Sequence, residues 1–312
     1  MSMQGRHKTG QALMHAILAL VAIYTLAPLV FLIFNSFKSN NEIVDSPVSA
    51  PSSWSFQYII SAAQQIHFFR AIWITFVITF ISVLLLVMVS SLAAWVMVRS
   101  KSILGTVLYL GFTAAMLIPF QSLMYPLLDL FEKIGLKNIP GLIFMYGGFG
   151  LSMSVFLYHG FIKSVPQSLE EAAIIDGANI FQMFFKVVFP LLKGTTVTVI
   201  VLNGMWIWND YLLPFLVIGN SNGVKTLTLE LYFAKLTSGQ YGNPWELIFP
   251  AVLVTIIPIV ILYIFLQIDG HFGSAYFYRS PDHVIKCHTK AFLKLFRIDF
   301  LFGRTKRKIL LF

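Results

Sequence analysis

The sequence predicts an all-α integral membrane protein with six transmembrane helices and a charged cytoplasmic loop between the fourth and the fifth. Of the 312 residues, 57% are apolar and only 11% are charged, whereas a soluble domain carries about a quarter charged residues. A water-soluble protein of this length could not hide so much apolar surface, because surface-to-volume scaling limits burial. In addition, six apolar stretches are long enough to cross about 30 Å of hydrocarbon as helices.

The predicted spans follow the chain in order at 12–34, 71–97, 103–128, 139–162, 195–219 and 247–267. The first is interpreted as an uncleaved span behind a cytoplasmic N-terminus at 1–11, because its apolar stretch is too long for the apolar region of a signal peptide. Several spans contain Pro or Gly, which membranes tolerate where neighbouring helices satisfy the freed backbone groups. We therefore expect a bundle of packed, kinked helices.

The distribution of Lys and Arg predicts the orientation. With the N-terminus inside, the cytoplasmic segments before residue 268 carry seven basic residues, the outer segments carry six, and the tail at 268–312 adds nine. Because Lys and Arg accumulate on the cytoplasmic side, both termini are expected there. The outer loops at 35–70 and 220–246 are longer and rich in Ser, Asn, Pro and Gly, as solvent-facing loops are.

The formal charge of +9 does not indicate a nucleic-acid-binding protein. No soluble module carries a basic stripe with interleaved aromatic residues, and in membrane proteins Lys and Arg mark the flanks that face anionic lipid. Cys287 is the single cysteine, which excludes an internal disulfide framework.

Motifs for catalysis and metal binding are absent from the sequence. It contains no His-Glu-x-x-His zinc pair, no Gly-x-Ser-x-Gly nucleophile elbow and no Gly-x-x-x-x-Gly-Lys-Ser/Thr phosphate loop. No catalytic, metal-binding or cofactor-binding residues are therefore assigned, and His15 and His159 are interpreted as packed or interfacial. Asp210, which follows Asn209, is a candidate functional residue because acids within membrane spans are commonly functional.

The stretch SLEEAAIIDGANIFQMFFKVVFPLL, at 168–192, is too charged to span a bilayer and too apolar for an ordinary loop. Ser168 and Glu171 have the spacing of a capping box, in which each side chain bonds to the backbone N–H of the other. Gly177 then predicts a left-handed helix end. Asn179 predicts the cap of a second helix, with Gln182 at the matching position.

The residues alone leave two interpretations of this helix–bend–helix open. It is either a capped linker at the inner membrane surface or a short helix that docks into a groove of a partner protein. The small side chains of Ala172 and Ala173 would permit close approach by another surface.

The same stretch and several flanking segments resemble those of a known family. The spacing of Glu171-Ala172-Ala173, Asp176-Gly177-Ala178, Phe184 and Pro190 resembles the EAA loop of binding-protein-dependent type I ABC importer permeases. Four flanking segments resemble the carbohydrate-uptake subclass, and together the resemblance covers about 12–267. These segments are NSFKSNNEI (35–43), SSLAAWVMVRS (90–100), MLIPFQSLMYPL (116–127) and WNDYLLPF (208–215).

The resemblance implies a transport function in a bacterial inner membrane, with a permease core at 71–267 and its EAA loop at 166–194. The implied partners are a second homologous permease, two cytoplasmic ATPases that bind the ATP, and an extracytoplasmic sugar-binding protein. Glu171 would pair with a basic residue of an ATPase, and Asp176 and Gly177 would set the bend. The implied ATPase contacts are Glu170, Glu171, Ala172, Ala173, Asp176, Gly177, Ala178, Phe184 and Pro190, and candidates for the translocation path are Pro119, Gln121, Asn209 and Asp210.

Two features depart from the family pattern. Gly194 stands beside Lys193 where a second Pro is usual, and the segment after Gln267 mixes aromatic and basic residues without a helical period. Two hypotheses remain for 268–312: a basic tail at the membrane surface, or an out-of-register translation that begins near residue 268.

Two other functions would each leave a signature in the sequence. A membrane enzyme for lipid-linked substrates should show a catalytic pair near the inner face. A channel or secondary carrier should show ions within the spans and an internal repeat. Neither signature is visible.

Overall fold

The computed structural model describes residues 3–219, 224–238 and 244–278. The regular structure of these ranges is helical. In chain order it consists of α1 (Met3–Asn35), α2 (Asn40–Asp45), α3 (Gln57–Gln65), α4 (Phe68–Arg99), α5 (Ile103–Ala115), α6 (Phe120–Lys133), α7 (Ile139–Ile162), α8 (Ser168–Ile175), α9 (Ile180–Gln182), a π-helical turn (Met183–Val188), α10 (Phe189–Leu191), α11 (Lys193–Asn209), α12 (Leu212–Val217), α13 (Leu227–Ser238) and α14 (Trp245–Tyr278).

By length and composition, three helical segments of the described ranges can each cross a membrane alone: Met14–Asn35, Phe68–Arg99 and Ile139–Ile162. The number rises to five if two sharply bent helix pairs each count as one span. A shorter apolar segment, Trp245–Ile261, occupies the place of the sixth predicted span. The predicted all-α membrane architecture is confirmed, while the count of six spans stays a prediction.

The third span is not the continuous helix that was predicted at 103–128. It breaks between α5 and α6, whose axes differ by 104°. Pro119 caps α6 in an extended conformation with ψ 137°. Its ring disfavours helical backbone at the preceding residue and it has no N–H to donate, so that α5 does not continue through it. With 13 residues, α5 rises only about 20 Å, which is too short to cross about 30 Å of hydrocarbon alone.

The fifth span is also interrupted, against the prediction of one helix at 195–219. Asp210 is extended, with ψ 129°, and ends α11. Its carboxylate Oδ1 accepts a hydrogen bond from the backbone N–H of Leu212 at 3.0 Å, and its carbonyl accepts one from the Thr228 hydroxyl at 2.8 Å. A side chain that bonds its own backbone two residues on favours a turn over a continued helix.

The segment predicted as an outer loop at 35–70 is organised around a buried lysine. Lys38 has no exposed surface, and its Nζ donates to the carbonyl oxygens of Ser46 at 2.8 Å and Pro47 at 3.4 Å. Asn35 also donates to Pro47, at 3.0 Å. These bonds hold the chain between α2 and α3 against the end of α1.

The centre of the bundle lies between α4 and α7. Gly147 and Gly150 of α7 face Leu85 and Leu86 of α4, and an added Cβ at Gly150 would lie 2.6 Å from Leu86 Cδ1. Small residues of this kind let helix backbones approach closely in membranes. The apolar window of α1, in contrast, has none of its residues buried, and this helix contacts α14 near its end, where the ring of Phe31 lies 5.6 Å from that of Phe249.

Candidate functional site

The charged bend between α7 and α11 begins with α8, but not through the predicted capping box. Gln167, rather than Ser168, precedes the helix, and it makes no side-chain cap bond. Gln167 is itself helical in φ and ψ, and its carbonyl accepts hydrogen bonds from the N–H groups of Glu170 and Glu171 at 3.0 and 3.1 Å. Ser168 therefore lies within the first turn, where it cannot adopt the extended conformation that a capping residue needs.

The end of α8 agrees with the prediction. Gly177 has φ +82°, a conformation that glycine adopts without steric cost. The N–H of Ala178 donates to the carbonyl of Ala173 at 2.9 Å, and that of Gly177 donates to Ile174 at 3.0 Å. This pair of bonds is the Schellman motif, which satisfies the last carbonyls of a helix and turns the chain away from its axis.

The second cap is confirmed as well. Gln182 donates its backbone N–H to Asn179 Oδ1 at 2.8 Å, and Asn179 donates its own to Gln182 Oε1 at 3.0 Å. The helix that follows widens into the π-helical turn Met183–Val188. Pro190 contributes to this widening because it has no N–H to offer the carbonyl of Lys186. Turns of this type are frequent at functional sites.

One side of α8 exposes an acid beside large apolar residues, and a second acid follows at the C-terminal end of the helix. Glu171 and Asp176 are both exposed, and the side chains of Ile174 and Ile175 are 59% and 86% exposed. Glu171 shares a helix face with these two isoleucines, because they follow it by three and four residues. We call Glu171, Ile174 and Ile175 the docking face. Ala172, Gly177 and Pro190 are exposed as well, and Ala173 and Ala178 are half-buried.

Glu170, one residue earlier, points into the protein. It is 5% exposed, and its Oε1 lies 2.7 Å from Arg99 Nη2 and 2.8 Å from Arg99 Nε. Its Oε2 accepts a hydrogen bond from Trp95 Nε1 at 3.1 Å. The family resemblance implies that both Glu170 and Glu171 contact the ATPase, but successive residues of a helix point about 100° apart. Glu170 is therefore occupied within the chain.

Two further contacts join the same part of α4 to the bend. Arg99 Nη2 donates to the carbonyl of Val165 at 3.0 Å, just ahead of α8. The ring of Trp95 lies 5.3 Å from that of Phe184, which is 1% exposed and belongs to the π-helical turn. Sequence reasoning did not identify Trp95 or Arg99. Both lie in the segment SSLAAWVMVRS, but nothing in the sequence pairs them with residues about seventy positions away.

The candidate path residues lie at the two breaks in the spans. Asn209 is exposed at the end of α11, and Asp210 Oδ2 accepts a hydrogen bond from the Tyr146 hydroxyl at 3.0 Å. Pro119 and Gln121 are exposed at the start of α6. Both breaks are tied to α7, since Phe120 packs its ring 5.0 Å from that of Phe149, one turn beyond Tyr146. Their role in translocation stays a prediction.

His159 is a packed residue, as predicted. Its ring is stacked 3.6 Å from the ring of Tyr109 on α5, and it is 5% exposed. Across the part of the chain that the structure describes, no group of three or more His, Cys, Asp or Glu side chains is placed to hold a metal ion.

Comparison with known proteins gives a consistent family. Residues 87–272 match the family model described as "Binding-protein-dependent transport system inner membrane component". The chain is 40% identical over 247 residues to the probable starch degradation products transport system permease protein AmyC of Thermoanaerobacterium thermosulfurigenes, covering 79% of this chain and 89% of that relative. It is 34% identical over 263 residues to the multiple sugar-binding transport system permease protein MsmG of Streptococcus mutans, covering 81% and 91%.

The fold is similar to that of a solved bacterial ABC transporter involved in the import of the acidic polysaccharide alginate. The TM-score is 0.71 at 21% sequence identity, and the match covers 86% of this chain and 98% of that one. The relatives are named as transport system permease proteins, which are the non-catalytic membrane subunits of such transporters. The chain therefore belongs to the binding-protein-dependent transport system inner membrane components, as a multi-pass permease of the type I ABC importers that groups with the carbohydrate-uptake permeases.

Proposed function

We propose that this permease imports a sugar by coupling ATP hydrolysis in partner ATPases to its own spans through α8. The docking face of α8 is the observation that supports the proposal most strongly. The substrate class comes from the relatives, whose names refer to starch degradation products and to multiple sugars. The protein would form half of the translocation path, and a second homologous permease would form the other half.

The composition of the docking face favours a protein partner over lipid. Ile174 and Ile175 would bury apolar surface on binding, and each fully buried side chain of this kind is worth about 1.5–3 kcal/mol. Glu171 and Asp176 lie beside them, and carboxylates are poorly accommodated by the apolar and anionic parts of a membrane. A cleft with an apolar floor and a basic rim satisfies both requirements, as in helix-in-groove recognition.

The remaining partners follow from the same assignment. ATP would be bound by two cytoplasmic ATPase subunits and not by this chain, whose sequence lacks a phosphate-binding loop. An extracytoplasmic binding protein would deliver the sugar to the outer side. A membrane enzyme acting on lipid-linked substrates is not favoured, because the relatives are named as transport permeases.

We also propose that both termini face the cytoplasm. In support, Arg99 and Lys163 end α4 and α7 beside α8, which agrees with the preference of basic residues for the cytoplasmic side. A tag at the N-terminus should resist protease in intact spheroplasts and be digested after lysis. Digestion of the tag in intact spheroplasts would show that the N-terminus lies outside and would contradict this orientation.

Uptake into inside-out membrane vesicles cannot test an importer, so the function is tested in right-side-out proteoliposomes of the assembled complex. ATP is enclosed in the lumen, and the binding protein is added outside with radiolabelled maltotriose, raffinose or cellobiose. We expect accumulation of at least one of these sugars with ATP and none with a non-hydrolysable analogue. Equal entry with and without ATP would indicate a channel or secondary carrier instead.

A further inference from the structure

We propose that Trp95 and Arg99 are positioning residues that attach α8 rigidly to α4, so that movement of the ATPases is delivered to the centre of the bundle. This inference rests on the proposed function, because it concerns what happens after an ATPase has docked. We call Trp95, Arg99, Glu170 and Phe184, together with the carbonyl of Val165, the anchor.

The anchor contacts the chain ahead of α8, within the first turn of α8 and beyond its bend. Arg99 binds the carbonyl of Val165 ahead of the helix and the carboxylate of Glu170 within it, at 3.0 and 2.7 Å. Trp95 binds the other oxygen of that carboxylate and also packs on Phe184, which lies after Gly177. One turn of α4 therefore holds both arms of the bend, and Gly177 is not a free hinge between them.

Burial and charge make this attachment strong. The side chains of Arg99 and Glu170 are 18% and 7% exposed, and hydrogen bonds between ionised groups are shorter and stronger than neutral ones. The planar guanidinium also fixes its partners in direction. Removal of one partner leaves the other charge buried and unpaired, which is costly.

The connection leads directly to the core of the protein. Beyond the anchor, α4 packs along α7 through Leu85 and Leu86 against Gly147 and Gly150. At its other end, Thr75 Oγ1 accepts a hydrogen bond from the backbone N–H of Leu227 at 2.8 Å. A displacement of α8 would thus shift α4 as a rigid helix. Without the anchor, the displacement would be transmitted only along the chain, through the π-helical turn to α11.

Adjacent glutamates offer a matched pair of variants. Glu170→Gln removes the charge that Arg99 and Trp95 bind, whereas Glu171→Gln makes the same chemical change on the docking face. We expect Glu170→Gln to retain the copurifying ATPases, because the docking face is intact, and Glu171→Gln to lose much of them. Loss of the ATPases in Glu170→Gln alone would identify Glu170 as a docking residue and overturn the proposal.

Spin-label distances measure the rigidity of the attachment in the assembled complex. Labels are placed at Leu169→Cys, on the opposite side of α8 from the docking face, and at Phe69→Cys, which is 84% exposed near the far end of α4. Cys287→Ser removes the native thiol. We expect the wild-type anchor to give the same distance distribution without nucleotide and with ATP plus vanadate.

In the Glu170→Gln variant we expect this distance to shift when ATP and vanadate are added, because α8 moves while α4 lags behind. A shift in the wild-type anchor, or none in Glu170→Gln, would overturn the proposal. Trp95→Phe provides a second variant that keeps an aromatic side chain beside Phe184 and removes the indole N–H, and we expect a smaller shift. If no ATPase copurifies even with the unmodified chain, the proposed function fails rather than the anchor alone.

Discussion

The neighbouring carboxylates of Glu170 and Glu171 face opposite environments: Glu170 forms an ion pair with Arg99 at 2.7 Å, while Glu171 is exposed. Two residues of the same type, adjacent in sequence, thus take part in different interactions. The first connects α8 to α4, and the second is available to a partner. The helical rotation of about 100° per residue is enough to separate the two roles.

The close contact of α7 with α4 and α11 predicts that Gly150→Ala destabilises the bundle. The new Cβ would lie 2.6 Å from Asn203 Oδ1 and from Leu86 Cδ1, and overpacking of this kind costs about 1–3 kcal/mol. Gly148→Ala in the same helix has open space around the new Cβ and should be neutral or slightly stabilising. The midpoint of thermal unfolding in detergent should be lower for Gly150→Ala than for wild type and for Gly148→Ala. Equal midpoints would contradict the close packing at Gly150.

The positive φ at Gly177 predicts a specific pattern of tolerance at the bend. Gly177→Ala meets no atom within 4 Å, so its cost of roughly 1–2 kcal/mol comes from the left-handed backbone alone. Gly177→Asn should retain most of the stability, since Asn is tolerated at this helix position. Gly194→Ala, which also meets open space, serves as the control. Copurification of the ATPases should fall for Ala and not for Asn at 177, and the same loss in both would argue against backbone strain.

The hydrogen bond between Tyr146 and Asp210 predicts that Tyr146→Phe loosens the break between α11 and α12. The Tyr146 side chain is 1% exposed, and its hydroxyl lies 3.0 Å from Asp210 Oδ2. The loss of such a bond in a membrane protein costs roughly 0.5–2 kcal/mol. Tyr125→Phe, at an 80% exposed position, should leave the unfolding midpoint unchanged. If the unfolding midpoint of Tyr146→Phe equals that of this control, the hydrogen bond does not contribute to the stability of the bundle.

The segment after Gln267 gives a prediction about the native polypeptide. The helix α14 continues to Tyr278, beyond the predicted end of the span at 267, and residues 279–312, which include Cys287, lie outside the described residues. If translation leaves its register near 268, mass spectrometry of the protein from its own host will find no peptide that contains Cys287. Detection of that peptide would favour the basic tail at the membrane surface.

Local features of the bend were predictable because they depend on residues within a few positions. Gly177 and the Asn179–Gln182 box each follow from side chains and backbone groups that lie within five residues of one another. The breaks at Pro119 and Asp210 were missed because the sequence remains apolar on both sides of them, so that the hydropathy signal is continuous. Ser168 was assigned as a cap because its spacing from Glu171 is correct, whereas the turn at Gln167 begins the helix earlier.

The anchor could not be predicted from one sequence. Arg99 is one of the basic residues of the predicted cytoplasmic segments, and the family resemblance assigns Glu170 to the ATPase contact. Their pairing depends on how α4 and α8 pack, which brings together side chains 71 residues apart. Tertiary contacts of this range leave no periodic signal in either segment.

Quantitative copurification of the ATPase subunits with the tagged permease, in wild-type and Glu171→Lys forms, tests most directly the docking of the ATPases on α8, on which the proposed coupling depends. Glu171→Lys reverses a charge on the exposed docking face and leaves the Arg99–Glu170 pair in place, so the permease should be produced and extracted at wild-type levels. We predict that wild type retains its ATPases and that Glu171→Lys loses them by tenfold or more, roughly the effect of one buried charge pair at an interface. Equal retention of the ATPases by both proteins would contradict the role of α8 as the docking helix.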